Sequence, residues 1–219
     1  MIQGLEARLR AVQGRVAEAA SAAGRDPGEI TTIVVTKFQP IELVRDLAGL
    51  GVADFGENRH QEARAKATEL PDVRWHFIGQ LQTNKARQVA RYAAAIHSVD
   101  RTELVSALAG TGASVFLQVH LDDAAGRGGV APAGLIRLAE QAAEAGLPVL
   151  GVMAVAPFGE DPEPAFARLR ELSSRLRARI PTASAISAGM SNDFATAIRH
   201  GATHLRIGTA ITGERPPGS

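Results

Sequence analysis

A lysine closes the apolar run in TTIVVTKFQP, residues 31–40, a segment whose β-branched residues read as a buried strand. Burying an unpaired ammonium is costly, so a lysine at the mouth of an apolar site tends to lose its proton. The resulting neutral amine attacks an aldehyde or ketone and forms a Schiff base. Lys37 is thus a candidate nucleophile, while the structural alternatives have it reach past the rim to water or pair with Glu57. Near the other end, SAGMSNDFATAIRHG (187–201) runs from a strand through Gly189, Ser191 and Asn192 into a helix. LRIGTAITG (205–213) repeats the arrangement, with Gly208 letting the backbone approach closely and Thr209 offering a hydroxyl. Ser or Asn caps and free N–H groups at helix N-termini suit a phosphate. Arg206 shares a strand face with Gly208 by alternation and needs a partner, either a ring nitrogen of a ligand or a carboxylate such as Asp54 or Glu57. Together these residues point to a phosphorylated ligand that carries a carbonyl.

The elements that must position them alternate along the chain. Strand candidates fall at 32–37, 54–57, 75–79, 96–99, 114–120, 149–155, 185–189 and 204–208. Helix-like segments lie between them, among them IELVRDLAGLG, RHQEARAKATEL, TNKARQVARYAAA and PAGLIRLAEQAAEAGL, and several end in glycine. Alternating strand and helix calls for a parallel sheet, and eight strands close a (β/α)8 TIM barrel. An open doubly wound sheet is the alternative, but the first strand-to-helix junction, TKFQP, has none of the glycines of a dinucleotide-binding turn. In a barrel the functional groups gather at or beyond the C-terminal strand ends. Lys37, Glu57, Asn58, Gln80, His120, Ser191 and Arg206 fall there.

Composition narrows the class. The 219 residues are 45% apolar, enough for one sizeable core. With 24 Lys and Arg against 23 Asp and Glu, the net charge of +1 offers no field for nucleic acid or an anionic membrane. The chain has no cysteine, which removes disulfides and thiolate metal sites and suits a reducing compartment. Ile2, Leu5, Leu9, Val12 and Val16 recur at helical spacing in an N-terminal helix, 1–24, that is no signal peptide. No stretch is long and apolar enough to span a bilayer. The expectation is one soluble, cytoplasmic domain over 1–219, with a flexible tail at 214–219. The arginine-rich RLRELSSRLRAR reads as a solvated helix face with Phe166, Leu169, Leu172 and Leu176 turned to the barrel. Without an H-x-H or H-E-x-x-H pattern no metal site is expected, although His200 and His204 stand four apart.

Seven segments carry a resemblance. VVTKFQP, DFGEN, WHFIGQLQTNK, HSVD, GVMAV, SAGMSNDFATAIRHG and RIGTAITG resemble, in order and spacing from about residue 30 to Gly213, the motifs of the pyridoxal 5′-phosphate (PLP) homeostasis protein family. The resemblance implies a barrel similar to the alanine racemase barrel domain, PLP fold type III, holding PLP as an internal aldimine on Lys37. It also implies that Ser191, Gly208 and Thr209 hold the phosphate, that Arg206 faces the pyridine nitrogen, and that Asn58 lies near the ring. Three positions depart from the family pattern: Gln39 stands where many members have a second lysine, His120 where an asparagine is usual, and Arg127 where a loop lysine is usual. These departures put a secondary, lysine-dependent transfer or allosteric site in doubt.

The residues also bear on activity. An arginine beside the pyridine nitrogen weakens the ring as an electron sink. A two-base racemase needs a proton carrier on each face, and the sole tyrosine, Tyr92, reads as a packing residue in a helix. The resemblance therefore implies a monomeric carrier that buffers PLP and delivers it to PLP-dependent apo-enzymes. Two rivals stand beside it. A racemase or lyase would use His76, His120 or His204 at a strand end as acid or base. A cofactor-free Schiff-base aldolase acting on a phosphosugar would use Lys37 and the same phosphate loops.

Overall fold

The computed structural model describes residues 2–121 and 128–214. Eight parallel strands close a barrel in sequence order: β1 (Thr31–Val35), β2 (Asp54–Glu57), β3 (Arg74–Phe77), β4 (Ala93–Val99), β5 (Val115–Gln118), β6 (Val149–Met153), β7 (Ala185–Ser187) and β8 (His204–Ile207). β8 returns to β1 with Val34 opposite Ile207 and Ile33 opposite Arg206, which closes the ring. The helices are α1 (Leu5–Ala22), α2 (Ile41–Gly49), α3 (His60–Glu69), α4 (Ala86–Val89), α5 (Thr102–Leu108), α6 (Leu135–Glu144), α7 (Pro162–Arg179), α8 (Phe194–Arg199) and α9 (Thr209–Thr212). The core between strands and helices is apolar, and α7 contributes Phe166, Leu169, Leu172 and Leu176 to it, all buried as their spacing requires. Asp161 caps α7 by accepting from the Glu163 amide at 3.0 Å, and Pro162 supplies a preset first turn.

α1 lies on the outside of the barrel, against α8 and α9. Its Leu5, Leu9, Val12, Val16 and Ala20 are buried on one stripe. Arg8 Nε donates to the Ile211 carbonyl of α9 at 2.8 Å, and Arg25 Nη1 donates to the Ala202 carbonyl after α8 at 2.6 Å. The helix and the residues just past it thus satisfy carbonyl groups at the two segments that follow β7 and β8.

Two boundaries differ from the sequence reading. Ala93–Ala95 reads as the end of a helix, yet it is the start of β4, because Ala93 and Ala95 stand opposite Trp75 and His76 of β3. Tertiary pairing overrides alanine's helix preference there. Apart from β2 and β4, the strands also end one or two residues early, so Lys37, Gly79, His120 and Gly189 lie in the loops beyond them.

Candidate functional site

β1 ends at Val35, and the chain turns at Thr36–Gln39, closed by the Gln39 amide donating to the Thr36 carbonyl at 3.0 Å. Lys37 sits in this turn, exposed, with no hydrogen-bond or ion-pair partner among the described residues. That corrects two expectations, the apolar enclosure of the amine and its pairing with Glu57. The reason is a second lysine. Lys66 reaches from α3 to the end of β2 and donates to Glu57 Oε1 at 2.7 Å, Glu62 Oε1 at 2.7 Å and the Thr36 carbonyl at 2.8 Å. Thr36 Oγ1 donates to the same Glu57 oxygen at 2.7 Å, and Glu62 accepts the Phe38 amide at 2.7 Å. Phe38 has φ of +65°, the one positive value among described non-glycine residues, and the Arg59 guanidinium lies 4.7 Å from its ring centre. The backbone on either side of Lys37 is therefore held by a buried ion-pair network while its amine stays uncommitted.

Asn58 follows β2 on the same rim. Its Oδ1 is buried and has no hydrogen-bond partner among the described residues. Its backbone lies against Gly79, where a Cβ would fall 2.2 Å from the Asn58 carbonyl oxygen, so the loop can hold this position only over a glycine.

The two loops on the far side of β1 have different architectures. Gly189, with φ of +93°, turns the chain after β7, and a Cβ there would meet that of Ala197 at 2.8 Å. Asp193, not Ser191 or Asn192, occupies the cap position of α8, and its Oδ1 accepts the Met190 amide at 2.5 Å. Asp193 closes the loop on itself, which displaces the two residues read as caps and leaves the half-buried Ser191 hydroxyl without a partner among the described residues. After β8, Gly208 passes beside Val35, and the exposed Thr209 opens α9 with its own hydroxyl unpartnered among the described residues. Strand order then puts Ser191 beyond β7, Arg206, Gly208 and Thr209 on or beyond β8, Lys37 beyond β1 and Asn58 beyond β2. They form one contiguous arc of the rim.

Arg206 is buried and makes no ion pair with Asp54 or Glu57, which corrects the structural alternative for it. Its Nη1 donates to Ser187 Oγ at 2.6 Å and its Nη2 to the Ala154 carbonyl at 2.8 Å. Burial lowers its pKa to about 10, opposed by the Asp193 carboxylate. Two of five N–H groups are committed, and three remain. His204 stands at the start of β8, at the opposite end of the barrel, and His76 lies inside the lumen, so neither is a strand-end acid or base at the mouth. His120 and Gln80 do lie beyond β5 and β3, and His120 borders a shallow apolar pocket with Val155, Ala156, Phe158 and Met190. Arg127 lies outside the described residues. Tyr92 directly precedes β4, and its hydroxyl lies 3.3 Å from His60 Nδ1 of α3. Sequence reasoning missed Lys66, Ser187 and His97. The signals were available in the i, i+4 pair Glu62 and Lys66, and in the inward positions of His76 and His97 on adjacent strands.

Residues 8–216 match the family described as alanine racemase, N-terminal domain. A pyridoxal phosphate homeostasis protein of Mycobacterium tuberculosis is 41% identical over 235 residues, covering 94% of this chain and 91% of the relative. The chain belongs to the pyridoxal phosphate homeostasis protein family. Among solved structures, this family member superposes with a TM-score of 0.78 on PipY of Synechococcus elongatus with PLP bound. The two are 34% identical, with 90% of this chain and 99% of PipY covered. Alanine racemase from Streptomyces coelicolor shares the barrel at a TM-score of 0.73 and 22% identity, with 96% of this chain matching 59% of the racemase. That last likeness concerns the fold alone.

Proposed function

We propose that this family member binds PLP at the barrel mouth and acts in intracellular vitamin B6 homeostasis as a carrier, without substantial catalytic activity. One observation carries the reading: the groups left uncommitted along the arc are those PLP requires. Among the described residues, the Lys37 amine, the Ser191 and Thr209 hydroxyls, three N–H groups of Arg206 and the Asn58 Oδ1 have no protein partner. The neighbouring carboxylates are already engaged, Glu57 and Glu62 by Lys66 and Asp193 by the Met190 amide. The hydroxyl and N–H donors of this set fit a doubly charged phosphate, the amine fits a carbonyl, and the Asn58 Oδ1 adds one acceptor between them. In this reading the PLP aldehyde condenses with Lys37 as a Schiff base. Ser191, Gly208 and Thr209 bind the phosphate, Arg206 faces the ring nitrogen and Asn58 lies beside the ring. The structure of PipY with PLP bound supports PLP as the ligand.

Two features favour a carrier over an enzyme. A guanidinium at the ring nitrogen disfavours protonation there and limits carbanion chemistry. The sole tyrosine is tied to His60, and burial raises its pKa further. The proposal takes residues 1–219 as one monomeric, cytoplasmic domain that passes PLP to PLP-dependent apo-enzymes.

The test is the visible spectrum of the purified protein beside a Lys37→Ala variant, before and after borohydride. A reducible band in the wild type, missing in the variant, is expected. A protein that stays colourless after addition of PLP overturns the proposal in favour of a cofactor-free Schiff-base enzyme. Exchange of the α-proton of added amino acids with deuterated solvent overturns the carrier half alone.

A further inference from the structure

An unbroken line of hydrogen bonds crosses the barrel lumen behind Arg206. Arg206 Nη1 donates to Ser187 Oγ at 2.6 Å, and Ser187 Oγ lies 2.9 Å from His97 Nδ1. His97 Nε2 lies 3.0 Å from His76 Nδ1, and His76 Nε2 lies 2.9 Å from Asp54 Oδ1. Arg74 grips both oxygens of Asp54, at 2.7 and 2.6 Å. β7 and β4 are not neighbours in the barrel, so the step from Ser187 to His97 spans the lumen. Every member from Asp54 to Arg206 is buried.

The two ends fix the direction of each proton between them. A guanidinium only donates, and an ionised carboxylate only accepts. His76 must therefore carry its hydrogen on Nε2, toward Asp54, leaving Nδ1 as an acceptor. His97 then carries its hydrogen on Nε2, toward His76, and its Nδ1 accepts from the Ser187 hydroxyl. Ser187 in turn accepts from Arg206. One polarity runs the whole way, from Arg206 to Asp54, and it assigns a single tautomer to each imidazole.

We propose that Asp54, His76, His97 and Ser187 are positioning residues for Arg206. They form a one-way relay that holds the guanidinium by one N–H and reverses when His76 takes up a proton. A doubly protonated His76 donates from Nδ1, so His97 must accept at Nε2 and move its own hydrogen to Nδ1. Ser187 Oγ then receives donors from both His97 and Arg206, and its hydroxyl proton loses its acceptor. His76 is the lumen ring that touches a carboxylate, Asp54 Oδ1 at 2.9 Å. The charged or titratable groups facing the two rings are Asp54 of β2, Arg74 of β3, and His204 and Arg206 of β8. The His204 ring centre lies 6.5 Å from that of His76 and 6.4 Å from that of His97. Burial, and then the charges of His76, Arg206 and His204, hold the His97 pKa well below its usual value, so His97 answers by changing tautomer. Phe116 stacks on His97 at 4.3 Å and offers no alternative partner for its nitrogens.

The relay's consequence at the mouth rests on Arg206 as a ligand-facing residue, but the relay itself is tested without that reading. Long-range proton–nitrogen NMR of the histidine rings in the purified protein reads each tautomer directly. Both rings should be Nε2–H at neutral pH. On acidification, His97 should switch to Nδ1–H while staying neutral, with the same midpoint as the double protonation of His76. A Ser187→Ala variant should lose the coupled switch, and Ser187→Thr, which keeps the hydroxyl, should restore it. In PLP-loaded protein, the Ala variant should also shift the pH midpoint of the visible band. A His97 ring found as Nδ1–H at neutral pH, or separate midpoints for the two rings, overturns the relay. An intact switch with an unmoved visible band overturns the link to Arg206.

Discussion

Replacing Lys66 with methionine isolates the network that braces the Lys37 turn. Methionine keeps most of the side-chain volume but removes the ammonium that Glu57 and Glu62 share. Glu57 is 1% exposed, and burial already raises its pKa against the pull of the Lys66 ammonium and the Thr36 hydroxyl. Without Lys66 only the Thr36 hydroxyl still opposes that burial, and the folded variant is expected to hold Glu57 protonated at neutral pH. Protonating a carboxyl whose unfolded value is 4.5 takes about 1.4 kcal/mol for each pH unit above it. The loss at pH 7 is therefore about 3.4 kcal/mol, within the roughly 3–5 kcal/mol that breaking a buried ion pair costs. A folded pKa above the unfolded one means that the native state binds more protons. The variant's deficit should thus be fully present at pH 7 and shrink to below about 1 kcal/mol at pH 5. Urea unfolding at the two pH values measures both. Because Lys66 also holds the Thr36 carbonyl, and Glu62 the Phe38 amide, the variant should bind PLP more weakly even where it is folded. A deficit that does not change between pH 5 and pH 7 would refute the buried-carboxylate argument.

Three further outcomes follow from the geometry. Gly79→Ala drives a methyl group into the Asn58 carbonyl oxygen, and a stability loss of about 3 kcal/mol with weakened PLP binding is expected in thermal melts and spectral titration. Asp54→Asn addresses acid stability. Burial alone would raise Asp54, but hydrogen bonds and charge from His76 and Arg74 bring it down from 3.8 to about 2. A depressed carboxylate stabilises the fold above its unfolded value and ceases to as pH falls through the folded one, so the variant should be less stable at pH 6 with the gap closing toward pH 2. His204→Phe tests the opposite case. Burial and the His76 charge hold His204 at about 4, so the folded state binds fewer protons than the unfolded one, and the wild type loses stability as pH falls from about 6.5 to 4. Phenylalanine there should flatten that part of the stability profile, measured by denaturant unfolding across the same range.

The barrel was legible because its signals are local and repeated. The strand cores and the stripes of α1 and α7 each announce their buried face through spacing alone. The arc of rim residues was legible for the same reason, since each lies just past a strand end and strand order does the rest. What escaped the reading was pairing at a distance in sequence. Lys37 and Lys66 look equally free to meet Glu57, and only the path of α3 over β2 decides for Lys66. For Arg206 the structural alternative to a ligand's ring nitrogen was an ion pair with Asp54 or Glu57, because an inward arginine needs a partner. The actual acceptors are a serine hydroxyl and a backbone carbonyl, which carry no charge and leave no mark in composition.

The lumen sharpens the contrast. One side is filled by Ala95, Phe116 and Met153, as a barrel needs for packing alone. The other side carries Arg206, two hydrogen-bonded histidines, a serine and an aspartate in a single connected line, with the exposed Arg74 gripping the aspartate from outside. An apolar filling of the same volume would be neutral or more stable, because buried polar groups give little net stability even when fully satisfied. The polar line connects to the rim at one place, Arg206, the strand residue beside the two loops with uncommitted hydroxyls. Retaining it therefore makes physical sense as support for what Arg206 faces. On that argument, cutting the line at Ser187 should disturb the mouth more than it disturbs the melting temperature.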